Sequence, residues 1–247
     1  MIRYKADLHI HSVLSPCSDL YMSPVNIIKK AKERKLDIIG ITDHNSTKQC
    51  KTCREIGLKN GIFVLCGAEI TTKEEVHCLT FFENDEKLFA FQQFIETHLP
   101  SIKNDIKRFG YQLLVDENEN ITDEEEMMLN TALNVSIDEL AEKVHELNGL
   151  FIPAHVNRPK FSLISQLGFI PADIKADALE ITRHITKEAF LNQNPYLKAF
   201  PIIQNSDSHF LDSIGDVTSI FEMNEISFAE IFNTFKNIEG RKIDVNK

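Results

Sequence analysis

Short apolar runs rich in β-branched residues alternate along this chain with stretches of helical periodicity, and few folds accept such a pattern. KADLHI is followed by PVNIIKKAKERK, LDIIGIT, a helical stretch over about 46–60 and IFVLCGAEI; GLFIPA, DALEIT and FPIIQNS come later. Strands that alternate with helices form βαβ units and a mainly parallel sheet covered by helices. LDIIGIT is apolar almost throughout, as a strand covered on both faces must be. The first helix has a clear start, with Ser23 at the N-cap, Pro24 at the first helical position and Ile27, Ile28 and Ala31 forming the buried stripe. The 247 residues suffice for one barrel-sized domain over 1–247.

The regular alternation lapses in the middle, where a helical and acidic insertion is expected at about 84–135. Leu88, Phe91, Phe94, Ile95, Leu99, Ile102, Ile106 and Phe109 recur at helical intervals interrupted by Pro100, which predicts two helical pieces. DENENITDEEE then places seven carboxylates between Asp116 and Glu126, the composition of a solvated loop. Ser136 and Glu139 have the spacing of a capping box that opens a further helix.

A formal net charge of -10 argues against an extended nucleic-acid surface or a grip on anionic membrane, both of which need clustered Lys and Arg. No apolar run is long enough to span a membrane and the first residues do not resemble a secretion signal, so a cytoplasmic address is expected. Five cysteines at irregular spacing fit a reducing compartment. Cys50 and Cys53 form a CxxC on an expected helix without a second such pair, which suggests buried structural thiols.

Polar residues collect where the apolar runs end. His9 and His11 lie late in the first strand, Asp43 and His44 follow LDIIGIT, Glu69 ends VLCGAE, His155 ends FIPAH, and Asp207 and His209 follow PIIQNS. Parallel barrels assemble their sites at the carboxyl ends of strands. Strict alternation puts Asp7, His9 and His11 on one face of the first strand, with Leu8 and Ile10 on the other. Seven residues separate Glu69 from His77, too few for a crossover helix, so VLCGAEI and VHCLTFF should pair antiparallel and bring both side chains to the same rim. Cys66 and Cys78 then face the helices. Such a gathering of imidazoles and carboxylates suits Zn, Mn or Fe and exceeds the needs of one ion. His98 and His145, on expected helices, stand apart from it.

In DLHIHS, ITDHN, GAEIT, HCLTFF, PAHVNRP and NSDSHF, taken in that order between Asp7 and about Asp216, the chain resembles the PHP (polymerase and histidinol phosphatase) family of metal-dependent phosphoesterases. The resemblance implies an α/β fold, a distorted seven-stranded (β/α) barrel of TIM-like type, with two or three divalent metal ions. It places His9, His11, Glu69 and Asp207 on one ion, a bridging Glu69 with His77 and His155 on a second, and His44 and His209 on a third. The sequence departs from the family where SPCSD follows HxH: Cys17 stands at the expected ligand position of the third ion, with Asp19 as the other candidate. Asp7 and Asp43 are expected behind the ligands, orienting imidazoles.

Two ions roughly 3.5–4 Å apart can activate a water and stabilise phosphoryl oxygens, so no serine or cysteine nucleophile is needed. The expected catalytic set is Glu69, Asp207, His209 and Arg158. The guanidinium fork of Arg158 suits a phosphate, and Arg183 and His184, at the end of LEITRH, are further candidates for substrate binding. The expected activity is hydrolysis of a phosphomonoester or phosphodiester with a small, nucleotide-like phosphorylated molecule as partner. A metal-dependent hydrolase of C-N or C-O bonds and a non-catalytic metal-binding barrel are the alternatives.

Overall fold

A computed structural model describes residues 1–245. Its elements are β1 (Ile2–Ile10), α1 (Pro24–Glu33), β2 (Ile38–Ile41), α2 (Cys50–Lys59), β3 (Phe63–Thr71), β4 (His77–Phe82), α3 (Asp85–His98), α4 (Ile106–Phe109), β5 (Leu113–Val115), β6 (Ile121–Glu124), α5 (Ile137–Glu146), β7 (Leu150–Pro153), α6 (Leu163–Leu167), β8 (Leu179–Glu180), α7 (Lys187–Gln193), β9 (Ile202–Ile203), β10 (Ser219–Met223), α8 (Phe228–Phe235) and β11 (Lys242–Val245).

One curled sheet runs in the order β11-β10-β1-β2-β3-β4-β7. β1, β2 and β3 are parallel; β3 and β4 pair antiparallel, as the short connection requires, and β4 pairs antiparallel with β7. The curl continues beyond β7. Asp177 N–H donates to Phe151 O and Val156 N–H to Glu180 O, which tie β8 to β7, and β8 is parallel to β9. Ser208 N–H then donates to His9 O and His11 N–H to Ser208 O, both at 3.0 Å, returning to β1. β1, β2, β3, β4, β7, β8 and β9 are therefore the staves of the expected distorted barrel, while β10 and β11 extend the sheet from the first half of β1.

Alternation along the strands divides the core in two. Ala6, Leu8, Leu65, Leu79, Phe81, Ile152 and Ile203 point into the barrel and pack with Ile231 and Phe235 of α8. Ile10, Ile41, Cys66, Cys78 and Phe151 face outward onto Ile27 and Ile28 of α1, Ile56 of α2 and Phe91 of α3. Cys66 and Cys78 thus face the helices, as their parity predicts. The cysteines are free, and all but Cys17 are buried.

β1 breaks the expected alternation. The register against β2 shifts between Asp7 and Ile10, so one extra residue is accommodated there as a bulge. Leu8 points inward and Ile10 outward although they differ by two residues. This turn sends His9 and His11 to the inner rim and leaves Asp7 facing elsewhere. The bulge also brings the backbone close to β2: a Cβ on Gly40 would stand 2.4 Å from Leu8 O.

Two other expectations need correction. α2 begins at Cys50, four residues later than the pattern suggests, because Thr47 N–H and Oγ1 both bond Gln92 Oε1. The acidic stretch is no plain loop: β5 and β6 form a hairpin whose turn is held by Asp116, which accepts from the N–H groups of Asn118 and Asn120. Of the two helical pieces expected around Pro100, the second, α4, is a single turn. Ser136 and Glu139 form the expected capping box at α5. The segment after α3 is fastened to the rim, since Asn45 Nδ2 bonds Leu129 O and Thr131 O, and Leu113 N–H bonds Val13 O.

Candidate metal centre

Glu69 sits at the middle of the rim, 1% exposed, at the point where β3 ends and β4 begins. Five imidazoles surround its two oxygens. Oε1 lies 2.9 Å from His77 Nδ1, 3.2 Å from His155 Nε2 and 3.3 Å from His9 Nε2; Oε2 lies 3.1 Å from His44 Nδ1 and 3.4 Å from His11 Nε2. Asp207 Oδ1 adds a second acid, 3.4 Å from His9 Nε2 and 3.5 Å from His11 Nε2, with His209 Nδ1 at 3.7 Å. Three groups of donor atoms each lie within 4.8 Å of one another: His9, His11 and Glu69; His44, Glu69 and His77; His11, His44 and His209.

These contacts leave the donors poorly served by one another. His9 Nε2 faces His11 Nε2 at 3.2 Å, an arrangement in which at most one nitrogen can donate. His44 Nδ1, although 3.1 Å from Glu69 Oε2, is not aligned to hydrogen-bond it, and His155 Nδ1 is likewise buried without a hydrogen bond. Buried polar atoms are normally paired, and a cation would use lone pairs that no protein donor fills here. The donor set therefore fits divalent metal.

Electrostatics describe the same frustration. Burial opposes ionisation of Glu69, but His77, His9 and His44 outweigh it and hold the carboxyl well below its usual range. Asp207 is likewise held low against burial, by His9 and His11. Burial favours neutral His9, yet Glu180, Asp207 and Glu69 raise it well above the usual imidazole value. Burial and the neighbouring His209 push His11 down to about 4, and burial lowers His44 strongly. His155 and Asp207 hold left-handed backbone, φ 30° and 53°, at the strand ends that present them. Such strain costs about 1–3 kcal/mol per residue and clusters at functional sites.

The residues expected to orient imidazoles do something else. Asp7, turned away by the bulge, accepts from the N–H groups of Ser206 and Gly215, and burial raises it to about 6. Asp43 accepts from Ser12 N–H and from the hydroxyls of Ser12 and Ser15. It meets His11 only through Ser15, whose Oγ is 3.1 Å from His11 Nδ1. The carboxylate that touches an imidazole from behind is Glu180, which lies outside every family motif named above. Its oxygens lie 3.1 and 3.2 Å from His9 Nδ1 and accept from His155 N–H and Asn205 Nδ2. An acid within the apolar strand DALEIT is the signal that could have found it.

Cys17 is not brought into any of the donor groups, where His11 stands with His44 and His209 instead. Its surface is exposed, but the thiol sits at the crowded end of the site, where desolvation and then Glu69 push it up to about 12. Asp19 turns its carboxylate to Tyr21 N–H. Arg158 Nη1 bonds Asp207 Oδ2 at 2.9 Å. Arg158, Arg183 and His184 line one cavity of about 550 Å³ that opens beside Asp207 and His155. His145 pairs with Asp177 and His98 bonds Phe94 O, both away from this rim.

Residues 7–190 match the PHP domain family. The chain belongs to that family. The expected resemblance is borne out. Over 281 residues the PHP chain is 25% identical to the uncharacterised protein YqxK of Bacillus subtilis, covering 100% of itself and 65% of that protein. It is 26% identical over 96 residues to phosphoribosyl 1,2-cyclic phosphate 1,2-diphosphodiesterase of Eggerthella lenta, 39% of this chain and 33% of that one. The lesion-specific endonuclease Q of Pyrococcus furiosus shares its fold, with TM-score 0.75 and 23% identity over 98% of this chain and 58% of that one. The chain spans between a third and two thirds of the length of these relatives.

Endonuclease Q also corrects the expected partner. It has been crystallised with a 27-mer duplex substrate bearing an abasic lesion at the active site, and that structure superposes on this chain equally well. The expectations of a small phosphorylated substrate and of no extended nucleic-acid surface are overturned. The second rested on net charge, which sums the whole surface and says nothing about the rim where ions would gather. Among the described residues no helix is long and apolar enough to cross a membrane.

Proposed function

We propose that this PHP domain hydrolyses phosphodiester bonds of a nucleic-acid strand with water activated by two or three divalent ions, Zn, Mn or Fe. The observation that carries this is the convergence of five imidazoles on the two oxygens of Glu69, all within 3.4 Å. His9, His11, Glu69 and Asp207 would hold one ion; Glu69, His77 and His155 a second; and His44 and His209, with His11 beside them, a third. Ions bound there supply Lewis acidity, making water nucleophilic near neutral pH and offsetting negative charge on the phosphoryl group.

The chain's own residues set the conditions for that chemistry. Glu180, 3.1 Å from His9 Nδ1, would accept from Nδ1–H when His9 binds an ion and so turn the Nε2 lone pair to the centre. Arg158, 44% exposed and bonded to Asp207, is positioned to take a phosphoryl oxygen in a charge-assisted hydrogen bond. His209 and Asp207 stand at the same rim to manage the proton of the attacking water. Residues 1–247 act as one domain, with the segment over about 84–135 forming a wall beside the loops that carry Val13 and Asn45. A cytoplasmic setting suits its free cysteines.

The test is metal analysis of the purified protein, followed by cleavage assays on labelled single strands and duplexes, with and without an abasic site. Metal-loaded wild type should cut, whereas His9→Ala and Asp207→Ala should remain folded and lose turnover. Unchanged turnover in either variant, or no cleavage of any nucleic acid by metal-loaded protein, would refute the proposal.

A further inference from the structure

The cavity beside the centre opens among the ends of β7, β8 and β9, and its two sides differ in kind. On the inner side the charged groups are committed: Glu180 to His9, His155 N–H and Asn205, and Asp207 to Arg158 and the imidazoles. On the outer side Arg183 and His184 are exposed and, among the described residues, form no hydrogen bond or ion pair. Their backbone is nevertheless fixed. Buried Gln204 donates through Nε2 to both Thr182 O and Ile185 O, spanning the turn that carries the two residues. Asn157 locks the near end, accepting from Thr182 N–H at 2.9 Å and donating to its hydroxyl at 2.9 Å.

A pinned turn that presents a guanidinium and an imidazole with no internal partner is preorganised for an anion from outside. At about 550 Å³ the space lies within the roughly 300–1,000 Å³ of ligand pockets and exceeds what one phosphate fills. It shares Asp207 and His155 with the metal centre, so whatever occupies it is continuous with a group bound there. Pro159 adds apolar surface to the same walls.

We infer that this cavity is the subsite for the nucleotide next to the scissile phosphodiester, with Arg183 and His184 binding that nucleotide's own phosphate. The inference rests on the nucleic-acid phosphodiesterase proposed above. It adds that the substrate is read as a strand with at least two neighbouring phosphates.

Steady-state kinetics of metal-loaded wild type, Arg183→Ala and Arg183→Lys decide it, on a dinucleotide and on the same dinucleotide with one extra terminal phosphate at either end. In wild type the extra phosphate at one end should lower KM by about tenfold, the size of a charge-assisted bidentate contact. Arg183→Ala should abolish that gain, Arg183→Lys should keep part of it because charge remains without the fork, and His184→Ala should reduce it less. A gain retained in full by Arg183→Ala, or wild-type KM indifferent to the phosphate at both ends, would overturn the subsite while leaving the phosphodiesterase intact. Wild type that cuts no phosphodiester at all would overturn both.

Discussion

Between Asp116 and Glu126 seven carboxylates stand on the β5–β6 hairpin in water, whereas Glu69, Glu180 and Asp207 stand at the barrel rim among imidazoles. The hairpin acids have ordinary surface partners. Glu117 pairs with Lys59 and Glu125 with Lys48, while Asp116 stabilises its own turn. Solvent screens such charges and each pair contributes about 0–1 kcal/mol. The rim acids are largely withdrawn from water and meet chiefly imidazoles, which are cationic only when they hold a proton; Arg158 at Asp207 is the one guanidinium among their partners. Abundance of acid therefore says little about chemistry. What distinguishes the rim is buried charge whose partners cannot all be satisfied within the protein.

The sharpest way to break this contrast is Glu69→Ala. Metal bound per chain, measured by elemental analysis, should fall below one ion and turnover below detection, with the far-UV circular dichroism retained. A full complement of metal in this variant would remove Glu69 from the centre. Glu180→Gln should act less strongly. It preserves shape but not charge behind His9, and loss of such a partner typically weakens metal binding about 10–100-fold; an unchanged metal affinity by titration calorimetry would make Glu180 a packing residue only. At the other end of the scale, the combined Glu117→Gln, Glu124→Gln and Glu126→Gln variant should alter unfolding free energy by no more than about 0.5 kcal/mol per site and leave metal content unaltered. A loss of bound metal there would show that the hairpin belongs to the centre after all.

Much of this organisation is legible in the sequence because it follows from local rules. Periodicity locates most of the barrel strands, Ser23 and Ser136 announce the starts of α1 and α5, and the short Glu69–His77 separation forces β4 to reverse. The misses occur where local rules compete with packing. Strict alternation assigns Asp7 to the imidazole face, and the bulge against β2 removes it. Cys17 and Asp19 have ligand chemistry, but Asp19 is consumed by its own turn and His11 stands where Cys17 was expected. Glu180 escapes notice since a single acid in a short strand carries no pattern, and its partners His9 and Asn205 are 171 and 25 residues away in the chain.

By itself the sequence determined the alternation of elements, the identity of most donor side chains and the family to which they belong, because hydrophobic period and residue chemistry are written one position at a time. Only the tertiary structure decided which donors converge on Glu69, which acid supports His9, and that Arg183 and His184 share a cavity with Asp207. Those are distances between residues remote in the chain, and they depend on barrel closure and on one extra residue in β1, which no local propensity encodes.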